Sequence, residues 1–511
     1  MKTVEDLKKA AESAIAFLRT KPDIEEAEVF ISANSNSLCR LNFTSHIPSN
    51  GVEEPKSSES FGLGIQAVFK RVGGRFIGFG SEPSDLTIEG VKRALDKAEA
   101  AAINDSEFVS LPKSLFAAER RLYDYSDKNL MDIKDEDLVG LGWKIIFGAL
   151  EEFEKSEKLK HFYPSLKAAG LIVGGDVTVI AERIAIGSFH FPEIRTDESS
   201  LIMAVVTCMV EAGDSKGSAC FCGTRLEEFS DEAGREAARN AIRGINGVRV
   251  PSGKYKVVFG GQAMNDLLNL LVGSLSLDAL YIGETAFEGK FGRKIVSEKL
   301  TVSDEGAKPG LMGSKGITCE GLPTGKTELI KDGILCGFLA NWYEAQRMLN
   351  HPEAEKKLGI NPRTQPGILT PRNGFRFAAG GGRSFEKTPG IAPTNVVVSS
   401  SEAKPLEELL KEVGNGIYIG RIWYTYPVNG MKRADFTCTV VADSFLIKDG
   451  KLAEPLKPNT VRINDNFVRV FNDVIGVGDK VRGIITWAAD EVTYSPEIAV
   501  SDVQIDAIAD F

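Results

Sequence analysis

The sequence predicts an α+β fold: an N-terminal α+β domain over residues 1–250, followed by a mostly antiparallel β domain with covering helices over residues 251–511. Three observations predict it. Amphipathic helical periods and strictly alternating strands both occur in the first half. Short strands punctuated by glycine turns dominate the second. Between them, Val250-Pro251-Ser252-Gly253 interrupts every periodic pattern and marks the boundary.

In the first half, Val4, Leu7, Ala11, Ala14, Ile15 and Leu18 recur at helical spacing, and Ala27 to Ala33 alternates as a strand. Residues 45–60, with Pro48, Gly51, Pro55 and several serines, predict a long polar loop. Phe61, Leu63, Ile65, Ala67 and Phe69 alternate, and Val72-Gly73-Gly74 turns the chain into Arg75 to Phe79, a hairpin. Helices follow over Thr87 to Ala102 and Glu136 to Glu154. Gly174-Gly175-Asp176 reads as a second hairpin turn, between Leu171-Ile172-Val173 and Val177 to Ile180. Leu201 to Val210 is a strand, and Arg225 to Asn246 a helix with Phe229, Ala233, Ala237, Ala241 and Ile245 inward.

The second half turns on Val257 to Ser274. Val257-Val258-Phe259 is a buried strand, Gly260-Gly261 a turn, and residues 262–274 a helix. Met264, Leu267, Leu268, Leu271 and Val272 form its apolar face, and Gln262, Asn265, Asp266 and Asn269 its polar one. Periodicity alone makes this a core helix with a polar outer face. Asp332-Gly333 and Asp449-Gly450 predict tight hairpins. Residues 351–394, rich in Pro and Gly, read as loop. Pro405 opens a helix carrying Leu406, Leu409, Leu410 and Val413, and Arg462 to Val474 reads as one more.

Composition narrows the function. The 61 Lys plus Arg against 71 Asp plus Glu give a net charge of −10, which argues against direct binding to nucleic acid or to an acidic membrane. No stretch is long and apolar enough for a membrane helix, and the start has no signal-peptide pattern, so the expected compartment is the cytoplasm. Seven cysteines argue against a disulfide framework, and Cys220-Phe221-Cys222 is the only close pair, read as small apolar residues in a sheet. The histidines, His46, His161, His190 and His351, lie too far apart for a His-x-x-x-His site, and no Ser/His/Asp or Cys/His constellation is visible.

Gly321-Leu322-Pro323-Thr324-Gly325-Lys326-Thr327 is one residue short of a P-loop and runs into a strand rather than a helix, so it reads as a β-turn. Gly380-Gly381-Gly382-Arg383-Ser384 reads as a mobile loop in preference to an anion site. Arg421-Ile422-Trp423-Tyr424-Thr425-Tyr426 alternates on a strand, with Arg421, Trp423 and Thr425 on one side and Tyr424 and Tyr426 on the other. Arginine and aromatic side chains beside an open sheet edge suit an extended peptide, and a structural aromatic cluster is the competing reading.

Phe61-Gly62-Leu63-Gly64-Ile65, Gly74 to Gly80, Leu300 to Gly306, Glu320 to Thr324, Leu329 to Leu335, Pro393-Thr394-Asn395-Val396 and Phe445 to Lys451 occur in an order that resembles the TldD/PmbA family, also labelled "modulator of DNA gyrase". The resemblance runs from about Val29 to the C-terminus. It implies a metalloprotease fold. TldD-type members carry H-E-x-x-x-H on a helix after a strand and glycine turn, with a C-terminal Cys as third zinc ligand. Imidazoles and a thiolate hold the metal there, and the Glu serves as base for the attacking water. With Gly260 and Gly273 matched to that pattern, the first His falls on Asn269, the Glu on Leu270 and the second His on Ser274, and Lys480 to Phe511 contains no Cys or His.

The resemblance therefore implies a PmbA/TldE-like subunit with no zinc of its own. It would work in a dimer with a zinc-bearing TldD-type subunit on unfolded peptides; the strand pattern, not the resemblance, offers Arg421, Trp423, Tyr424 and Tyr426 as peptide contacts. Two alternatives stand beside it. One is a homodimeric peptide-binding protein without catalysis. The other is an enzyme of metal-free chemistry in the same cavity, with Trp423, Tyr424, Asp304 and Glu305 as first suspects.

Overall fold

The computed structural model describes residues 2–47, 50–113, 125–378, 381–485 and 492–508; Pro48 of the predicted polar loop and Gly380 of the glycine run lie outside them. The fold is α+β, as predicted.

A seven-stranded antiparallel sheet organises the first half. Its order is Gly74–Pro83, Lys56–Arg71, Ile24–Thr44, Leu171–Ser188, Arg195–Val210 and Ser215–Gly223, with the short Gly51–Val52 also pairing the long Ile24–Thr44 strand. Alternation along that strand covers both faces. Val29 and Ile31 pack under helices Val4–Leu18 and Ile88–Ala100, whereas Phe30 points the other way, onto Cys319, Phe375 and Phe385 of the second half. Helices Asp135–Lys155 and Glu232–Arg243 close a further core with Val173, Val177, Ile202 and Val206.

The second half holds a nine-stranded sheet and a six-stranded one. The larger runs Arg421–Val428, Asp435–Ala442, Val461–Asn466, Ile498–Ala507, Gly253–Phe259, Gly416–Ile419, Phe445–Lys448 and Lys451–Pro455, with Val474–Val477 paired to Ile498–Ala507. Its core collects around helix Gly261–Gly273. Asp332 and Gly333 (φ 46° and 79°) and Asp449 and Gly450 (φ 49° and 72°) adopt the left-handed pairs that tight hairpins need, as their sequence predicts. Gly321, at φ 69°, is likewise in a turn, and the strand Lys326–Lys331 follows it instead of a phosphate-binding helix.

Several local expectations are corrected. Gly174-Gly175-Asp176 is no turn: Leu171–Ser188 is one continuous strand, paired with Ile24–Thr44 on one side and Arg195–Val210 on the other. Gly175 instead meets a close backbone approach, since its φ is 134° and a Cβ there would lie 1.9 Å from the Val205 carbonyl oxygen. Gly175→Ala is therefore expected to cost about 2 kcal/mol in urea unfolding, from strain and overpacking together. The polar loop is shorter than predicted, because Lys56 to Ser60 already pair with Leu38 to Asn34. Arg225 to Asn246 is a 3₁₀ turn at Leu226–Glu228 and a helix at Glu232–Arg243, split by Ser230-Asp231. Arg462 to Asn466 alternates buried and exposed as a strand, and only Phe467–Asn472 is helical. The predicted 351–394 loop contains helix Ala354–Leu358 and the strand pair Gly374–Phe375 and Gly390–Ile391.

The two halves are locked by buried ion pairs. Arg376 meets Glu28 with both side chains about 1% exposed. Arg383 reaches Asp197 at 2.8 Å and Glu182 at 3.2 Å, and Lys315 binds Glu182 and Ser199 beside it. The Arg383-Ser384 end of the glycine run, read as part of a mobile loop, is therefore anchored: both residues are buried, and Ser384 N donates to the Arg376 carbonyl at 2.7 Å.

Candidate functional site

The strand Gly253–Phe259, buried over Val257 to Phe259, lies between Ile498–Ala507 and Gly416–Ile419 and delivers the chain to helix Gly261–Gly273. Gly260 is the N-cap, where a Cβ would sit 2.8 Å from the Tyr418 hydroxyl, so a small residue suits this close passage. The helix's predicted apolar face is buried throughout.

Its polar face differs from the predicted outer face. Asn265 is fully buried and accepts the Thr493 hydroxyl, a bond that offsets the burial of its amide. Asp266 accepts the Thr425 hydroxyl at 2.8 Å and so ties the helix to strand Arg421–Val428. Asn269 is half-buried, and Leu270 packs against the large core. Ser274 is fully buried at the C-cap; its hydroxyl donates to the Leu270 carbonyl at 3.1 Å, and its own carbonyl accepts from Thr285 at 2.7 Å.

These three residues do not fit zinc. An amide, an isobutyl group and a hydroxyl already donating within its own helix make a poor donor set. Among the described residues, no three His, Cys, Asp or Glu side chains come together as a metal site. Cys220 and Cys222 are hydrogen-bonded to each other on strand Ser215–Gly223, and this bond sets their thiol acidities apart, lowering Cys220 and raising Cys222, while burial pushes both up.

Strand Arg421–Val428 is the outer strand of the nine-stranded sheet and pairs only with Asp435–Ala442 among the described strands. A bulge between Trp423 and Tyr426 breaks the predicted alternation, with Tyr424 at φ 54°. The Trp423 and Tyr424 rings stack at 5.5 Å and 15° instead of pointing apart, and the Arg421 guanidinium lies 5.6 Å from the Trp423 ring centre. Tyr424 and Tyr426 are 67% and 54% exposed, an unusual display of aromatic surface.

Between this strand, the start of the helix and the first sheet lies a cleft of about 140 Å³, lined by Asp176, Met203, Val205, Gln262, Arg421, Ile422, Trp423 and Ile485. It brings Arg421 and Trp423 to the helix N-terminus. Asn269, Leu270, Ser274, Tyr424 and Tyr426 are not in its lining. Reading Gly174-Gly175-Asp176 as a turn hides Asp176, and although Leu201 to Val210 reads as a strand, only its pairing with Leu171–Ser188 places Met203 and Val205 here.

Asp304 and Glu305 do not join this group. Asp304 is buried and accepts bonds from Asn373 Nδ2, Thr394 N, Thr394 Oγ1 and Asn395 N at 2.7–2.9 Å. Burial pushes its carboxyl up to about 6 against the pull of those donors. Glu305 is engaged by Lys326 at 2.9 Å. Asp304 thus pins the Thr394-Asn395 segment to the strand Thr301–Glu305, a structural role.

A strand, a glycine turn and a helix set beside an open sheet edge make this an α+β protein with its candidate site at the start of a core helix. The family model described as "PmbA/TldA metallopeptidase C-terminal domain" matches residues 252–507, half of the chain, and "PmbA/TldA metallopeptidase domain 1" matches residues 49–102. The chain belongs to this PmbA/TldD family. Relatives include a metalloprotease of Methanothermobacter thermautotrophicus, 26% identical over 50% of this chain and 49% of that one. A metalloprotease TldD homolog of Haemophilus influenzae is 28% identical over 50% and 45%, and metalloprotease PmbA of Escherichia coli O157:H7 is 22% identical over 48% and 46%. The chain thus spans about half the length of the curated relatives it matches. Among solved structures, TldE from Thermococcus kodakarensis superposes with a TM-score of 0.76 at 19% identity, covering 97% of this chain and all of that one. A "putative modulator of a DNA gyrase" from Thermotoga maritima gives 0.70 at 17% identity, covering 97% and 99%. Both show the fold.

Proposed function

We propose that this chain is the PmbA/TldE-like, zinc-free subunit of a TldD/TldE-type protease acting on unfolded peptides in the cytoplasm, without direct contact to DNA. A TldD-type partner supplies the zinc and the general base, and this chain shapes the cavity and holds peptide along the edge strand Arg421–Val428. One observation carries the reading: where the family resemblance puts two metal ligands and the general base, this helix has Asn269, Ser274 and Leu270, with Ser274 buried and its hydroxyl committed to the Leu270 carbonyl. The metalloprotease names of the relatives support the proteolytic setting.

The purified chain, measured by metal analysis and by hydrolysis of an unstructured peptide, is expected to hold far less than one zinc per chain and to leave the peptide intact. Co-purification from the native host is expected to bring down a TldD-type subunit whose presence restores cleavage. Stoichiometric zinc together with hydrolysis by the chain alone would falsify the reading. The open, aromatic edge strand also suits a homodimeric peptide binder without catalysis. Light scattering that shows a dimer, with no TldD-type protein recovered from the host, would favour that alternative.

A further inference from the structure

A second cavity, of about 470 Å³, opens between the first sheet and the segments around Trp342 and Pro389. It shares no lining residue with the cleft at the edge strand. Its size is that of a small-molecule site. Ile77, Phe79, Phe108, Leu111, Trp342 and Ile391 give it apolar walls. Its charged lining is of one sign: Glu28, Asp105, Asp278, Glu320 and Glu344, with no Lys, Arg or His among the described lining residues.

Two of these carboxyls are deeply buried, Glu28 at 1% and Glu320 at 3% exposure. Glu28 Oε1 accepts from Arg376, but Oε2 is enclosed and has no hydrogen-bond partner among the described residues. Glu320 accepts the Trp342 backbone N–H at 3.0 Å on each oxygen and makes no ion pair among those described. Two buried carboxyls thus line one cavity with apolar walls, and of the two only Glu28 has an ion pair among those described, to Arg376. A buried acceptor left unmet is costly and calls for a donor.

We propose that this cavity binds a ligand carrying an ammonium group on an apolar stem, with the ammonium at the Glu28–Glu320 end and the stem along Phe79, Trp342 and Ile391. Burial, and then the charge of Glu28, push the Glu320 carboxyl up to about 8, so near pH 7 it holds a proton. An ammonium replaces that proton. The charged groups around Glu320 are Glu28 and Arg376, the Glu344–Arg347 pair of helix Trp342–Asn350, Asp278 of helix Leu277–Ile282, and Asp105. Burial pulls Arg347 down, but Glu344 holds it above its ordinary value, so it stays charged throughout. Affinity for the amine therefore rises toward tenfold per pH unit below about 8 and levels off above it.

The test is calorimetric titration of the full chain with phenethylamine and with the uncharged phenethyl alcohol, in buffers of differing ionisation heat. The amine is expected to bind at least about tenfold tighter than the alcohol, with release of about one proton near pH 7. Glu320→Gln is expected to remove most of the pH dependence while the circular dichroism spectrum is unchanged. Equal affinity for amine and alcohol, pH-independent binding, or no binding at millimolar amine would overturn the proposal. Because the pH profile is read on the wild-type chain, the test survives a variant that fails to fold. A phenylalanyl-alanine amide with a free or acetylated amino terminus separates the sources. If only the free form joins phenethylamine in binding, peptide amino termini are included; if neither form binds, the site takes small amines.

Discussion

Arg383→Ala is expected to lower the unfolding free energy by about 3–5 kcal/mol, read by urea denaturation. Arg383 is fully buried and faces two carboxylates of the first sheet, Asp197 at 2.8 Å and Glu182 at 3.2 Å. Its removal leaves Glu182 enclosed with Lys315 as its remaining cation among the described residues and leaves Asp197 without its guanidinium. The cost is that of stranding charge away from water, which exceeds the net worth of the intact pairs. Arg383→Ala combined with Glu182→Gln is therefore expected to recover part of the loss, and strictly additive effects would show that the two do not interact. The pH dependence has a definite sign. Burial pushes Glu182 up, but Arg383 and Lys315 outweigh it and hold the carboxyl at about 2, below its ordinary 4.5. Its contribution is complete above about 4.5 and is lost as pH falls toward 2. The gap between wild type and Arg383→Ala should therefore narrow across that window. A gap that is constant, or that widens in acid, would rule out Glu182 as the seat of the effect.

How much was legible in the sequence follows from how local each cause is. The turns at Asp332-Gly333 and Asp449-Gly450 depend on the dihedrals of two residues, and composition alone states them. The strand, turn and helix at Val257–Ser274 were legible for the same reason, because a short apolar run and a helical period sit side by side. Gly174-Gly175-Asp176 carries similar turn chemistry and is strand, because the Val205 backbone, thirty residues on, comes close enough to exclude a side chain. Asp304 looked like half of a strand-end carboxylate pair, yet its partners Asn373, Thr394 and Asn395 lie 69 to 91 positions away. Arg383 followed three glycines and looked loop-like; nothing nearby in sequence announces Asp197, 186 positions earlier. The site shows the same division. The helix polar residues were legible, but the burial of Asn265 against Thr493 and the Asp266–Thr425 bond were not. The bulge at Tyr424 is not legible either, because residue types keep alternating where the strand pairing slips by a residue.

That bulge shapes the second large prediction. If the edge strand Arg421–Val428 holds extended peptide, Trp423→Ala should weaken binding of a fluorescein-labelled unstructured peptide by about 30-fold or more, equivalent to about 2 kcal/mol. Trp423 lines the cleft, stacks on Tyr424 and lies beside the Arg421 guanidinium, so truncation removes both apolar area and the partner of two flat groups. Tyr426, beyond the bulge and outside the cleft lining, should matter far less, with Tyr426→Ala shifting affinity by about threefold at most. Strand addition also uses main-chain bonds, so N-methylating alternate peptide residues should weaken binding even with every side chain kept. The helix enters the same argument through Asp266, whose carboxylate holds Thr425 and so steadies the bulged strand. Thr425→Val should loosen the strand and weaken peptide binding, by less than Trp423→Ala. Unchanged affinity in Trp423→Ala, with N-methylation equally without effect, would move peptide binding away from this edge. The helix would then remain what its periodicity first suggested: a core element, packed through Met264, Leu267, Leu268, Leu271 and Val272.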